Sequence, residues 1–338
     1  MLNGNIVPEE WEYMQRRAEL VQVLDLRTWV DRKRLAPSAW IYLTHLTHTR
    51  PLLPNLRSLS FCFKSPLSTA AVRPLLSPTI VELGIYCNVR SDRDEWICSL
   101  RSLFHMVSSI ATHLTWVELR TDRPDEPLPL TIFSPLEKLT RLRSIHWRFN
   151  VIMDLSVLRS LLLNLKGLET LELETTVEAP VHHRGQSHPL WSDQGQDGLR
   201  VLKLRYASLT IADDIKLFHF FASQNLQELH MCGRRDGSLR YITILSAEIA
   251  RCFPRLQVLD WWFLSQTTEL VPQGSSSLVM QVIQPLMKLR LLTSLVMFGD
   301  SILDGVTEAD IGSITKAWPR LSTLHINSSV YIGRDITP

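Results

Sequence analysis

Along this chain one short pattern keeps returning: an apolar residue, two free positions, a second apolar residue, one free position and a third apolar residue. It reads VQVLDL from Val21, LRSLSF from Leu56, IVELGI from Ile80, LTWVEL from Leu114, LRSIHW from Leu142 and LETLEL from Leu168. It continues as LRVLKL from Leu199, LQELHM from Leu226, LQVLDW from Leu256, LTSLVM from Leu292 and LSTLHI from Leu321. One such hexapeptide carries little information, because leucine is common. Eleven copies starting 24 to 36 residues apart define a structural repeat. The last two apolar positions of each copy are two residues apart, the period of a β-strand. They therefore face one side, and the residues between and after them face the other.

The segments between copies often read as helices. Trp96, Leu100, Leu103, Phe104, Val107 and Ala111 fall on one helical stripe. Asp154 is placed to N-cap a helix carrying Leu155, Leu158, Leu162 and Leu165, with Gly167 as its C-terminal stop. Thr307 and Asp310 form a capping-box-like start to a helix whose buried stripe is Ile311, Ile314 and Trp318. Pro54, Pro254 and Pro319 lie just ahead of their strands and end the preceding helix.

Strand, turn and helix repeated in this way make consecutive strands parallel neighbours. No single unit buries its apolar face, so the units stack on one core. Helices are wider than strands, and a helix layer on one side bends the stack. The expected fold is therefore α/β: a curved solenoid of about eleven irregular repeats, with a parallel sheet on its concave face and helices on its convex face. Residues 1–20 are expected to form an N-terminal helical cap through Trp11, Met14 and Ala18, and residues 21–338 the solenoid. The stretch at about 178–198, rich in Gly, Pro, Ser, Gln and Asp, reads as an insertion loop.

Composition narrows the class further. With 338 residues, 45% hydrophobic and 21% charged, the chain can bury a large core, and a net charge of +2 gives no reason to expect nucleic-acid or membrane-surface binding. Cys62, Cys87, Cys98, Cys232 and Cys252 are odd in number, scattered and never in a CxxC pair, and read as reduced thiols. The N-terminus carries Glu9, Glu10 and Glu12 and has no apolar signal core, and no window suits a transmembrane helix. A soluble protein of the cytoplasm or nucleus is expected.

These residues resemble the leucine-rich-repeat family, whose unit continues the pattern to an Asn or Cys that bonds neighbouring backbone in the turn. Asn88 and Asn150 hold that position here, whereas Asp122, Thr176, Ala207, Arg234 and Asp300 replace it elsewhere. Long, irregular spacing with few asparagines is similar to the divergent repeat arrays of fungal, especially basidiomycete, F-box proteins. VPEEWEYMQRRAELVQVLDL, from Val7, resembles the stretch that follows the F-box in those proteins. An F-box would lie upstream and none is visible before Ile6, so the expectation is a fragment, a truncated gene product or a member without that domain. The resemblance implies a substrate-recognition subunit of an SCF-type (cullin–RING) ubiquitin ligase, with a Skp-type adaptor held only by an upstream F-box. The alternative is a stand-alone leucine-rich-repeat scaffold or adaptor with no ubiquitin link.

If the leucines are core, the intervening positions form the concave wall. Its candidate partner-binding residues are Tyr86, Trp116, Arg120, His146, Arg148, Glu172, Glu174, Lys203, Arg205, His230, Asp260, Trp262 and Phe298. Large aromatics at open positions, interleaved with arginine, are typical anchors of protein interfaces. Charge alternates along the middle repeats: Arg120 and Arg148, then Glu172 and Glu174, then Lys203 and Arg205. A plainer reading is a solvated wall with cross-strand ion pairs of ~0.2–1 kcal/mol each.

No metal site is expected. His182, His183 and His188, with Asp193, lie in the loop-like segment without cysteine partners. The calcium-loop-like run from Asp300 lacks an acidic third position at Ile302 and has Ile311 where a bidentate Glu belongs. GxSxG, HExxH, GxxxxGK and GxGxxG are absent, so neither an enzyme nor a cofactor is expected. The basic triplet Arg32, Lys33, Arg34 reads as a solvated turn.

Overall fold

The structure is a computed structural model that describes residues 7–27, 42–45, 47, 51–63, 71–87, 93–121, 128–149, 151–152, 154–175, 198–206, 211–235, 239–265, 278–299 and 307–327. The described residues exclude Asn88, Asn150, the Arg32–Arg34 triplet, the histidine-rich segment from His182 to His188 with Asp193, and the run from Asp300 to Gly305. Almost all of the expected insertion loop also lies outside them. The chain divides into two compact units, Met1–Leu168 and Glu169–Pro338.

In the first unit, helix α1 (Pro8–Ala18) precedes strand β1 (Val23–Leu26), followed by β2 (Ser58–Phe63), β3 (Glu82–Cys87), β4 (Trp116–Thr121) and β6 (Ser144–Arg148). These pair in parallel in that order, beside a minor pair formed by β5 (Leu128–Pro129) and β7 (Val151–Ile152). The register stacks Leu24, Leu59, Leu83, Val117 and Ile145 in one ladder, and Leu26, Phe61, Ile85, Leu119 and Trp147 in the next. The second unit repeats the device with β8 (Thr170–Thr175), β9 (Val201–Tyr206), β10 (Glu228–Arg235), β11 (Val258–Ser265), β12 (Ser294–Gly299) and β13 (Thr323–Asn327), all parallel. Its ladders run Leu171, Leu202, Leu229, Leu259, Leu295 and Leu324, then Leu173, Leu204, Met231, Trp261, Met297 and Ile326. All eleven predicted strands form. From Leu171 to Met297 these ladder residues are 0–1% exposed, and burying each leucine stabilises the fold by about 1.5–3 kcal/mol.

The first apolar residue of the pattern works through a turn. In the repeats beginning at Leu56, Ile80, Leu114, Leu142, Leu168, Leu256, Leu292 and Leu321, its N–H donates to the carbonyl three residues earlier at 3.0–3.2 Å. Those earlier residues, from Leu53 to Trp318, are themselves buried. Pro54, Pro254 and Pro319 occupy the second position of this turn, where a fixed φ is favoured. Gly167 is its third position rather than the stop of the preceding helix, and its φ lies outside the left-handed range. That helix ends at Asn164, and the Leu165 N–H bonds the carbonyls of Leu161 and Leu162.

The connecting segments cover one face of the strands. Helix α2 (Arg93–Ile110) buries the predicted stripe from Trp96 to Val107. Between β4 and β6, the segment Leu130–Lys138 is a 3₁₀ helix containing Pro135, which lacks the N–H an α-helix needs. Its Phe133 stacks on Trp147 at 4.2 Å. Helix α3 (Leu155–Asn164) starts as expected, with the Asp154 carboxylate accepting from Ser156 N–H at 2.9 Å and Val157 N–H at 3.3 Å. In the second unit, α4 (Ile211–Phe221) packs beside α5 (Leu239–Cys252), and a short α6 (Leu278–Ile283) precedes a 3₁₀ turn, Pro285–Lys288. Helix α7 (Glu308–Ala317) carries the predicted Thr307–Asp310 capping box. Its stripe is a correction: Ile314, Ala317 and Trp318 are buried, but Ile311 is 53% exposed. Each unit is thus a stack of strand–turn–helix repeats, the architecture of a leucine-rich-repeat solenoid.

Candidate functional site

The face of the strands opposite the helices carries the residues between the ladders. In β2, β6 and β12 burial alternates strictly, outward positions half-buried and inward ones buried. Tyr86, Trp116, Arg120, His146 and Arg148 in the first unit are half-buried there, as are Glu174, Lys203, His230, Asp260, Trp262 and Phe298 in the second, while Arg205 is exposed. Besides Gly84, which has no side chain to expose, two outward positions break the alternation. Glu118 is 7% exposed and Glu172 is 1% exposed. Glu172 was expected to present an acidic patch, and instead lies covered. It sits in register with Lys203, with the Arg205 Nη2 3.7 Å from its Oε1.

In the first unit the reason is visible in the neighbours. Gly84 stands in register between Ser60 and Glu118. A Cβ built on Gly84 would lie 2.8 Å from the Ser60 Oγ and 3.3 Å from the Tyr86 Cε2, so Tyr86 leans over space that glycine leaves. From there its hydroxyl donates to the Glu118 Oε2 at 2.9 Å. Small outward residues on β2, Ser60 and Cys62, also let Arg27 reach across from β1. Its Nη1 donates to the Tyr86 hydroxyl at 3.0 Å, and its guanidinium lies 4.9 Å from that ring's centre. The Arg27 Nε donates to Asp25 at 2.9 Å, and Arg148 approaches Glu118 at 3.4 Å. Asp25, Arg27, Tyr86, Glu118 and Arg148 therefore form a charge-neutral relay over four strands. The bond from Arg27 holds the Asp25 carboxyl below its ordinary range. Burial, followed by the bond to Glu118, pushes the Tyr86 phenol up. Arg120 has no ion-pair partner among the described residues, and Trp116 rests against His146 at 5.5 Å between ring centres.

In the second unit the outward rows are Glu172, Lys203, His230, Asp260, Val296 and His325, and beside it Glu174, Arg205, Cys232, Trp262 and Phe298. His230 faces Asp260 at 3.3 Å through Nδ1 and Glu228 at 3.5 Å through Nε2. Asp260 also accepts from the Trp262 indole N–H. Trp262 then lies 4.0 Å from Phe298, and Phe298 lies 4.8 Å from His325, giving three consecutive strands a continuous aromatic stack. Such ring pairs add about 0.5–1.5 kcal/mol each beyond the area they bury.

A second cluster escaped the sequence reading because it lies on the helices. His219 on α4 and Glu248 and Cys252 on α5 bring their Nε2, carboxylate oxygen and Sγ within 4.8 Å of one another. Arg251 donates to Glu248 Oε2 at 2.7 Å and also contacts the His219 Nε2. Burial pushes Glu248 up, but the bonds from Arg251 and His219 hold it below its ordinary range, while burial pushes the Cys252 thiol up to about 11. The signal was faint but present. Glu248 and Cys252 share a helical face at i, i+4, and His219 stands seven residues before Leu226 as Glu248 stands eight before Leu256. All five cysteines are free thiols, and among the described residues no helix is long and apolar enough to cross a membrane.

No protein-family model matches the chain, and no curated protein matches it. Among solved structures it is similar to a leucine-rich-repeat-containing protein, LegL7 from Legionella pneumophila, at 13% identity over 90% of this chain and 88% of that one, with a TM-score of 0.42. It is also similar to the yeast Rad7–Elc1 complex, at 12% identity over 96% and 92% of the two chains, with a TM-score of 0.36.

Proposed function

We propose that this chain is a protein-interaction module without catalytic chemistry of its own, and that it binds a protein partner on the open face of its strands. The observation that carries this reading is the set of half-buried aromatics, Trp116, Trp262 and Phe298, at outward positions that the core does not use. Rigid aromatic surfaces bordered by charge supply most of the binding energy of protein interfaces. The ladders keep those side chains in place, so little order has to be imposed when the partner docks.

The finer reading is substrate recognition for an SCF-type (cullin–RING) ubiquitin ligase. It rests on the resemblance of the repeats, and of the stretch from Val7 to Leu26, to basidiomycete F-box proteins. In that role the open face selects the protein to be modified, and a Skp-type adaptor is held by an F-box. Partner capture from the native proteome, followed by mass spectrometry, tests both levels. Trp262→Ala and Arg120→Glu are expected to lose the partner with an unchanged circular dichroism spectrum. Equal capture by both variants overturns the open-face reading. If the protein expressed from its complete coding sequence captures a partner but no Skp-type adaptor, the chain is a stand-alone scaffold.

A further inference from the structure

We propose that His219, Glu248 and Cys252 form a binding site for a borderline divalent transition-metal ion, with zinc as the reference case. The three donors are a ring nitrogen, a carboxylate oxygen and a sulfur, a mixed set that suits zinc and disfavours magnesium or calcium. In tetrahedral zinc coordination, bond lengths of about 2.0–2.3 Å place ligand atoms roughly 3.3–3.7 Å apart. Here the His219 Nε2 and Glu248 Oε2 are 3.0 Å apart and all three donors lie within 4.8 Å, so side-chain adjustment alone closes the set. Cys252 is 6% exposed and forms the floor, whereas His219 and Glu248 reach the surface and leave a fourth position open to water.

The contacts among these side chains point the same way. The Arg251 guanidinium, always a donor, needs the lone pair of the His219 Nε2. Glu248 Oε2, 3.0 Å from that nitrogen, accepts from the Arg251 Nε at 2.9 Å and Nη2 at 2.7 Å. The Arg251 cation thus holds both acceptors at once. A cation between them takes both lone pairs at once, and Arg251, with 58% of its side chain exposed, is free to swing into water. Arg251 is a stand-in cation at a place built for one. On metal binding the Cys252 thiol passes its proton to solvent and the sulfur binds as thiolate.

The test uses the full chain, stripped of metal with a chelator. Titration with cobalt is expected to give one tetrahedral centre per chain with a thiolate-to-metal charge-transfer band, displaced by zinc. Zinc binding by calorimetry is expected to weaken at least tenfold in Cys252→Ser and in His219→Asn, and to be unchanged when His182, His183 and His188 are all replaced by Asn. Arg251→Gln is expected to bind zinc at least as tightly as the wild type. Absence of the charge-transfer band overturns the proposal, as does undiminished zinc binding in His219→Asn, a half-exposed position whose replacement leaves the core intact. Either result makes Glu248, Arg251 and His219 a surface ion network only.

Discussion

Tyr86→Phe removes one oxygen from the relay of the first unit and leaves the ring over Gly84. The Tyr86 hydroxyl donates to Glu118, a carboxylate only 7% exposed, and accepts from Arg27. A hydrogen bond to a charged group contributes about 1.5–3 kcal/mol, and a buried carboxylate that loses its donor cannot recruit water easily. The Arg27 side adds little, because its side chain is 46% exposed and stays paired with Asp25. The expected loss is therefore about 2 kcal/mol, nearly all from Glu118. For a urea dependence of about 1–3 kcal/mol per molar, the unfolding midpoint falls by roughly 1 M. Equilibrium urea unfolding of the wild type, Tyr86→Phe, Glu118→Gln and the double variant closes a double-mutant cycle, with an expected coupling of about 1–2 kcal/mol. A loss under about 0.5 kcal/mol, or strict additivity, would show that the hydroxyl does not anchor Glu118. The burial of that carboxylate would then need another cause.

Gly84→Ala is expected to destabilise by about 1 kcal/mol, because crowding against Ser60 and Tyr86 exceeds the gain from a stiffer backbone, and Ser60→Ala in the same chain should restore most of the loss on thermal melting. The Asp25 carboxyl titrates below the ordinary 3.8 in the folded chain, so the stability it adds is present above that value and fades as pH falls through the folded pKa. NMR titration should show the midpoint return towards 3.8 in Arg27→Ala, with a stability change under about 1 kcal/mol because both partners are roughly half exposed. Thr307→Ala, which removes the capping box of α7, should cost about 1 kcal/mol, seen as faster amide exchange in the first turn of that helix.

The strands were legible because a period of two, recurring every 24 to 36 residues, leaves few alternatives. The caps at Asp154 and Thr307 were legible because they depend on residues within three positions of the helix start. What failed depends on neighbours far away in the chain. Ile311 has the spacing of a buried residue but lies on α7, the last described helix, with no further described helix to pack against it. Glu118 and Glu172 stand at outward positions, yet exposure there is decided by the cross-strand side chains that lean over them. Those belong to other repeats: Tyr86 is 32 residues from Glu118.

The same argument changes what the alternation of charge means. Along the chain, acidic and basic residues at outward positions read as a patterned surface offered to a partner. Across the strands they are consumed in pairs. Arg148 and Tyr86 converge on Glu118, Arg205 and Lys203 flank Glu172, and His230 stands between Glu228 and Asp260. A pair already made within the wall gains nothing from a partner's charge unless it is first broken, so these residues set register and rigidity more than affinity. On the proposed reading of the open face as a partner site, affinity comes from groups the pairing leaves over. In the first unit those are Arg120 and the Trp116 face beside His146, and in the second they are the stacked rings of Trp262, Phe298 and His325. An alanine scan that found its largest losses at Glu172 and Lys203, with the aromatic positions silent, would reverse that ranking.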